Sequence, residues 1–156
     1  MHTSSRTLPR VSIEPPLGPV EVAFIASFHR GDRADVRRMW PGQPSSHSPW
    51  SPSADGTELV LVLDDRPVDH DEATTTAGWL RFLAREFLAP RTDTSLALAL
   101  RHGLAGGHRL TGRVLLDGVR EITVSNNRVN ERVLPRGHDA DVVELDDRRR
   151  AHNTER

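Results

Sequence analysis

Three residue types with reactive side chains are missing from this 156-residue chain: cysteine, tyrosine and lysine. Without cysteine the chain has no disulfides, no thiolate nucleophile and no thiolate ligands for zinc or an iron–sulfur cluster. Without tyrosine no phenol can act as an acid or base. Without lysine there is neither Schiff-base chemistry nor a P-loop lysine. These absences exclude enzymes that use a cysteine nucleophile, a lysine Schiff base or the lysine of a P-loop.

Apolar residues are also scarce in this chain, at 36% hydrophobic and 4% aromatic, with a mean hydropathy of -0.52. A fully packed chain normally carries more, so we expect part of the chain to be solvated tail. No apolar run approaches the ~18 residues of a transmembrane helix. The N-terminus lacks the apolar stretch of a signal peptide. We therefore expect a cytoplasmic protein with no membrane partner.

The charges of the chain almost cancel, with 21 basic residues, all arginine, against 22 acidic residues and a net charge of -1. A general attraction to nucleic acid or anionic lipid is therefore not expected. An all-arginine set is the ordinary product of a high-GC genome. The alternative is that arginine serves for its paired N–H groups, which recognise phosphate or carboxylate.

Hydrophobic periodicity predicts strands and helices in the order β-α-β-α-(α)-β-β-β. We expect an α+β fold, a two-layer sandwich with a mainly antiparallel sheet of about four to five strands and two or three helices. Residues 1–10 are predicted to be a flexible tail, 11–135 a single domain, and 136–156 a charged, disordered tail. The predicted core comprises Ile13, Phe24, Phe28, Leu61, Leu63, Trp79, Leu83, Phe87, Val114, Ile122 and Val124.

The period of the apolar residues also predicts the approximate bounds of the strands and helices. We expect strands over about 11–14, 57–63, 110–116 and 128–134, a further strand through residues 122–124, and helices over about 19–29 and 73–89. Residues 95–102 fit a strand or a helix equally, and the capping residues favour a short helix. A three-residue loop at Gly118 would pair Val114 with Ile122, whereas a two-residue loop would place Glu121 opposite Val114. Asn126-Asn127 predicts a two-residue turn.

Residues 31–56 are rich in proline, glycine and serine and predict an irregular loop that contains two tryptophans. Either the tryptophans pin the loop to the domain, or they form a contact surface. A Ser–His–Asp site on this loop is not supported, because no nucleophile elbow holds a serine. The candidate binding residues are Trp40, Gln43, His47, Trp50 and Asp55.

Arginines cluster just before Trp40, where Arg33, Arg37 and Arg38 follow one another closely. Arginine beside an aromatic ring can grip a nucleic-acid backbone and stack a base. Acidic residues interrupt the cluster and the whole chain is slightly acidic, and both features disfavour nucleic acid. Single-stranded nucleic acid is therefore the alternative to a protein partner.

A second alternative is a metal-dependent hydrolase that uses Asp69, His70 and Asp71. Carboxylates with an imidazole can bind a divalent ion, but the glycine of an EF-hand turn is missing. The ordinary interpretation is an acidic turn that leads into a helix N-terminus, where acids are favoured. We expect neither a metal nor another cofactor.

Several ordered motifs resemble those of a group of small uncharacterised proteins from high-GC, actinobacterial genomes and mobile elements. The motifs are Ile13-Glu14-Pro15-Pro16-Leu17, Trp40-Pro41-Gly42-Gln43-Pro44-Ser45, Trp79-Leu80-Arg81-Phe82-Leu83 and Ile122-Thr123-Val124 followed by Asn127-Arg128-Val129. The resemblance spans about residues 11–134. It implies a shared fold, and no known activity can be transferred from the group to this chain. The chain departs from the group over residues 92–107 and in the short turn at Asp117-Gly118.

The hypothesis that these observations favour is a small non-enzymatic module that binds another protein. It follows from the lack of a coherent catalytic constellation and from the loop that carries Trp40 and Trp50. Residues 141–147 form a short β-prone segment flanked by acids, which could add to the sheet edge of a partner.

Overall fold

The computed structural model describes residues 8–30, 40–63, 70–116 and 118–135 of the chain. Six strands form one sheet in this part of the chain, with two helices packed against it and a third beside them. The strands are β1 (Arg10–Glu14), β2 (Trp50–Pro52), β3 (Glu58–Leu61), β4 (Arg109–Leu116), β5 (Arg120–Ser125) and β6 (Arg128–Val133). The helices are α1 (Pro19–Arg30), α2 (His70–Leu83) and α3 (Asp93–Arg101), and α2 continues into one π-helical turn, Ala84–Leu88.

The sheet has the order β2-β3-β1-β4-β5-β6, and every neighbouring pair is antiparallel. The predicted α+β class is thus confirmed, with more strands than the four or five expected. The extra strand is β2, which lies inside the segment that the sequence predicts to be irregular. Pro52 belongs to this strand, and the edge position of β2 tolerates a residue without an N–H group.

Burial alternates along the strands, so that one face of the sheet is apolar and packs against α1 and α2. Of the predicted core residues, all are buried except Phe24 and Leu63, which are half-buried against the core. The largest buried side chains that the prediction omitted are Trp50, Phe82, Ile25, Leu59, Leu80, Leu88 and Leu104.

Both predicted hairpin registers are present. Val114 lies opposite Ile122, which leaves a three-residue loop with Gly118 at a φ of 65°. Asn126 and Asn127 have φ values of 47° and 67°, as a two-residue primed turn requires. The register therefore places Ile122 on the buried face.

The segment at residues 92–107 begins with a helix, α3. The Thr92 hydroxyl caps this helix by accepting a hydrogen bond from the Ser95 N–H at 3.1 Å. Among the described helices, none is both long and apolar enough to cross a membrane.

Candidate functional site

The loop that follows residue 39 is anchored to the domain by its tryptophans. Trp50 is fully buried, and its indole Nε1 donates to the Thr76 carbonyl oxygen of α2 at 3.0 Å. Trp79 of α2 donates in the other direction, to the Ser45 hydroxyl of the loop at 2.8 Å. Trp40 is half-buried, with its ring centroid 5.4 Å from that of Phe87. Trp50 therefore belongs to the core and not to the loop surface.

The polar candidates on this loop mostly bind the loop itself. Gln43 accepts from the Trp40 N–H at 3.2 Å and donates to the Ser45 carbonyl oxygen at 2.6 Å. Asp55 accepts from the hydroxyls of Ser53 and Thr57, both at 2.7 Å. These bonds hold the pKa of Asp55 at about 2, below its usual value, mainly through the Thr57 hydroxyl.

His47 is exposed, and its Nδ1 lies 2.9 Å from the hydroxyl oxygen of Ser46, its neighbour in the chain. Because Asp55 is occupied by Ser53 and Thr57, the described loop residues do not form a Ser–His–Asp relay.

The two alternative sites fall largely outside the part of the chain that the structure describes. The structure does not describe Arg33, Arg37, Arg38 or Asp69, and it does not describe the side chain of His70. Asp71 is exposed in the first turn of α2, where an acid complements the helix dipole. Within the described ranges, no three histidine or acidic side chains are placed to hold a metal ion.

A buried hydrogen-bonded pair, Glu21 and His108, joins α1 to the residue that precedes β4. Glu21 Oε2 lies 2.7 Å from His108 Nε2, and the two side chains are only 9% and 3% exposed. His108 Nδ1 lies 2.7 Å from the Pro15 carbonyl oxygen, which can only accept, so this nitrogen donates. Glu21 Oε1 accepts from the Gly18 N–H at 3.1 Å. All polar atoms of the pair have partners inside the protein, which gives the pair a structural role.

An open cavity of about 650 Å³ lies between the C-terminal end of α2 and the turn that joins β5 to β6. We call it the arginine groove, because four guanidinium side chains line it. No carboxylate is among the lining residues, which are otherwise small or polar. The four arginines are Arg81, Arg85, Arg91 and Arg128, and the other lining residues are Ala84, Ala89, Thr92, Ser125, Asn126, Asn127 and Asn130.

Two of the four arginines in the groove have carboxylate partners. Arg81 Nη1 lies 2.9 Å from Glu131 Oε1, and Arg85 Nε lies 3.0 Å from Glu86 Oε1. In the part of the chain that the structure describes, the side chains of Arg91 and Arg128 make no hydrogen bond or ion pair. Among the described residues, two of the four arginines that line the groove thus have no carboxylate partner, while the whole chain has a net charge of -1.

The walls of the groove are held in place by internal hydrogen bonds. Arg81 Nη2 donates to the Val129 carbonyl oxygen at 3.1 Å. The Asn127 side chain accepts from the Leu110 N–H at 2.7 Å and donates to the His108 carbonyl oxygen at 3.1 Å. The β5–β6 turn is thus tied to the start of β4. Such bonds fix the positions of the groove walls before a ligand arrives.

The π-helical turn forms another part of the wall, and π-helical turns occur frequently at functional sites. The sequence contains part of this signal, since Arg81 and Arg85 are four residues apart on one helix face. It contains no sign that Arg91 and Arg128 approach them. That arrangement depends on the β5–β6 turn packing against the end of α2.

The chain matches no known protein-family model, no curated protein and no solved structure. The resemblance to the actinobacterial group stays a prediction.

Proposed function

We propose that this protein is a small non-enzymatic binding module that recognises an oxyanion-bearing segment of a partner protein in the arginine groove. The observation that carries the proposal is the convergence of four guanidinium groups on one cavity without a lining carboxylate. Arginine presents planar paired N–H groups that match carboxylate and phosphate oxygens. Its exclusive use in this chain is compatible with that role.

The helix dipole and local ion pairs account for only two of the four arginines in the groove. Arg81 and Arg85 lie where α2 and the π turn end, and positive charge is favoured at a helix C-terminus. Both also have carboxylate partners. Arg91 and Arg128 lie outside these helix ends and have no carboxylate partner among the described residues, and an anionic ligand is the partner that we propose for them.

The lining chemistry favours a peptide over a nucleic acid. Proteins that bind single strands combine a basic channel with aromatic rings on which bases stack. None of the residues that line the arginine groove is aromatic. Asparagine, serine and threonine side chains instead offer hydrogen bonds suited to a peptide backbone and to acidic or phosphorylated side chains.

The proposal is tested by fluorescence anisotropy with four labelled probes of equal length. These are a phosphoserine peptide, its glutamate and serine counterparts, and a single-stranded oligothymidylate. We expect both anionic peptides to bind and the serine peptide to bind at least tenfold more weakly. The double variant Arg91→Ala/Arg128→Ala should lose about tenfold or more in affinity, because each charged hydrogen bond contributes about 1.5–3 kcal/mol.

The matched control is Arg10→Ala/Arg109→Ala, which removes the same charge from exposed ion pairs outside the groove. Its affinity should stay within about twofold of the wild type. Equal losses in both double variants would show non-specific attraction and overturn the proposal. If the oligothymidylate binds more tightly than the anionic peptides, the ligand of the groove is a nucleic acid and the proposed protein partner is wrong. No binding of any probe at 1 mM would also reject the groove as a ligand site.

A further inference from the structure

The outward face of α3 is apolar and exposed. Leu96 and Leu100 are 40% and 58% exposed, and Ala97 beside them is also exposed. Positions 96, 97 and 100 share one face of the helix because they are one, three and four residues apart. The opposite face attaches α3 to the domain through Ala99, which is fully buried.

Val20 lies close to Gly103, two residues after the end of α3. It is 60% exposed, and a Cβ placed on Gly103 would lie 3.2 Å from Val20 Cγ1. We call the exposed apolar residues Leu96, Ala97 and Leu100, with Val20 near the C-terminal end of the helix, the α3 patch. Exposed apolar side chains grouped in this way and bordered by charges are typical of protein contact surfaces.

Opposite charges stand at the two ends of the α3 patch. Asp93 begins the helix and Arg101 ends it, about 12 Å apart at 1.5 Å per residue. Both side chains are exposed, and neither makes an ion pair with another described residue. The residue midway between them is Ala97, the smallest member of the patch.

We propose that the α3 patch is a self-association surface, on which α3 packs antiparallel against α3 of a second copy of this chain. A two-fold axis through Ala97 places Asp93 of each copy beside Arg101 of the other, so the surface is complementary to itself. The small side chain at the crossing point lets the helix axes approach to about 8 Å. The two leucines of each helix then lose their exposure to water.

The short helix limits the strength of this contact. At nine residues α3 is about 14 Å long, so the interface falls below the ~800 Å² per partner of stable complexes. The dimer is therefore weak and dependent on concentration. The inference is independent of the arginine groove, because neither Arg91 nor Arg128 belongs to the patch.

Sedimentation equilibrium of the full chain from 10 µM to 1 mM tests the dimer. The weight-average mass should rise from 17.4 kDa towards twice that value. Asp93→Arg and Arg101→Asp should each weaken dimerisation about fivefold or more, because each places like charges together twice per dimer. The double exchange Asp93→Arg/Arg101→Asp restores the complementarity and should return the dissociation constant to within about twofold of the wild type.

Leu100→Ser should also weaken the dimer, whereas Leu115→Ser should leave it unchanged. Leu115 is the matched control because it is a leucine of similar exposure, 47%, outside the patch. A constant monomer mass up to 1 mM overturns the inference. Failure of the double exchange to restore the dimer also overturns it.

Discussion

The Glu21–His108 pair and the arginine groove place ionisable side chains in opposite situations. Glu21 and His108 are almost fully buried, and each of their polar atoms has a partner inside the protein. Arg91 and Arg128 are exposed, line an open cavity and make no bond with a described residue. An ionisable side chain whose partners are internal contributes to folding. An exposed arginine with no partner among the described residues is the kind of group that we propose for a ligand.

The two regions are adjacent in the fold. The Asn127 side chain bonds the carbonyl oxygen of His108, and Asn127 directly precedes Arg128 in the groove. The His108 N–H donates to the Leu88 carbonyl oxygen, at the end of the π turn. The backbone of His108 therefore connects the β5–β6 turn with the end of the π turn, while the side chains of Glu21 and His108 stay buried.

The largest effect is expected from removing one member of the buried pair. Glu21→Ala leaves His108 without its carboxylate and should lower the free energy of unfolding by about 3–5 kcal/mol. Glu21→Gln keeps the shape and a hydrogen-bonding oxygen and should cost less. The measurement is equilibrium unfolding in urea at pH 7.

The matched control for this prediction is Glu14→Ala, because Glu14 pairs with Arg109 at 75% and 59% side-chain exposure. It should change the free energy of unfolding by no more than about 1 kcal/mol. Equal losses for Glu14→Ala and Glu21→Ala would remove the distinction between the two kinds of charge.

A smaller effect is expected from converting a satisfied arginine of the groove into an unsatisfied one. Glu131→Gln removes the carboxylate that Arg81 Nη1 contacts at 2.9 Å. The affinity for the anionic peptides should rise about 1.4- to fivefold, which corresponds to the ~0.2–1 kcal/mol of an exposed ion pair. Peptide anisotropy measures the change. Glu58→Gln, which frees Arg10 outside the groove, should leave the affinity unchanged, and a gain in both variants would contradict the interpretation.

Local patterns predicted most of the fold. The period of two in the C-terminal strands predicted the β4–β5 register, because a one-residue slip would expose Ile122, and the Asn126-Asn127 turn predicted the β5–β6 register. The prediction missed β2, since Trp50–Pro52 follows a loop rich in proline and serine and pairs with β3 at the sheet edge. It also missed the π turn, because a π-helical turn leaves no distinct hydrophobic period.

The candidate site was much harder to predict than the fold. Glu21 and His108 are 87 residues apart in sequence, so no local pattern reveals their contact. Arg81 and Arg85 were visible as one helix face, but Arg128 reaches them only through the packing of the β5–β6 turn. From the sequence, Trp40 and Trp50 were candidate binding residues because they lie on a long loop rich in proline and serine. In the structure, Trp50 anchors the loop to α2 through the Thr76 carbonyl oxygen.

The smallest effect is expected at Asp55, where a charge is satisfied at the surface without burial. The hydroxyls of Thr57 and Ser53 bond its carboxylate and lower its pKa to about 2. The usual value in an unfolded chain is about 3.9, so the folded state favours the charged form. The resulting stability is fully present above that value and is lost as the pH falls towards 2. Asp55→Asn has no carboxylate at this position that a falling pH could protonate. Its unfolding midpoint in urea should therefore decrease less steeply than that of the wild type between pH 4.5 and 2.5. Parallel midpoints for the two proteins would show that the turn at residues 53–57 does not depend on this charge.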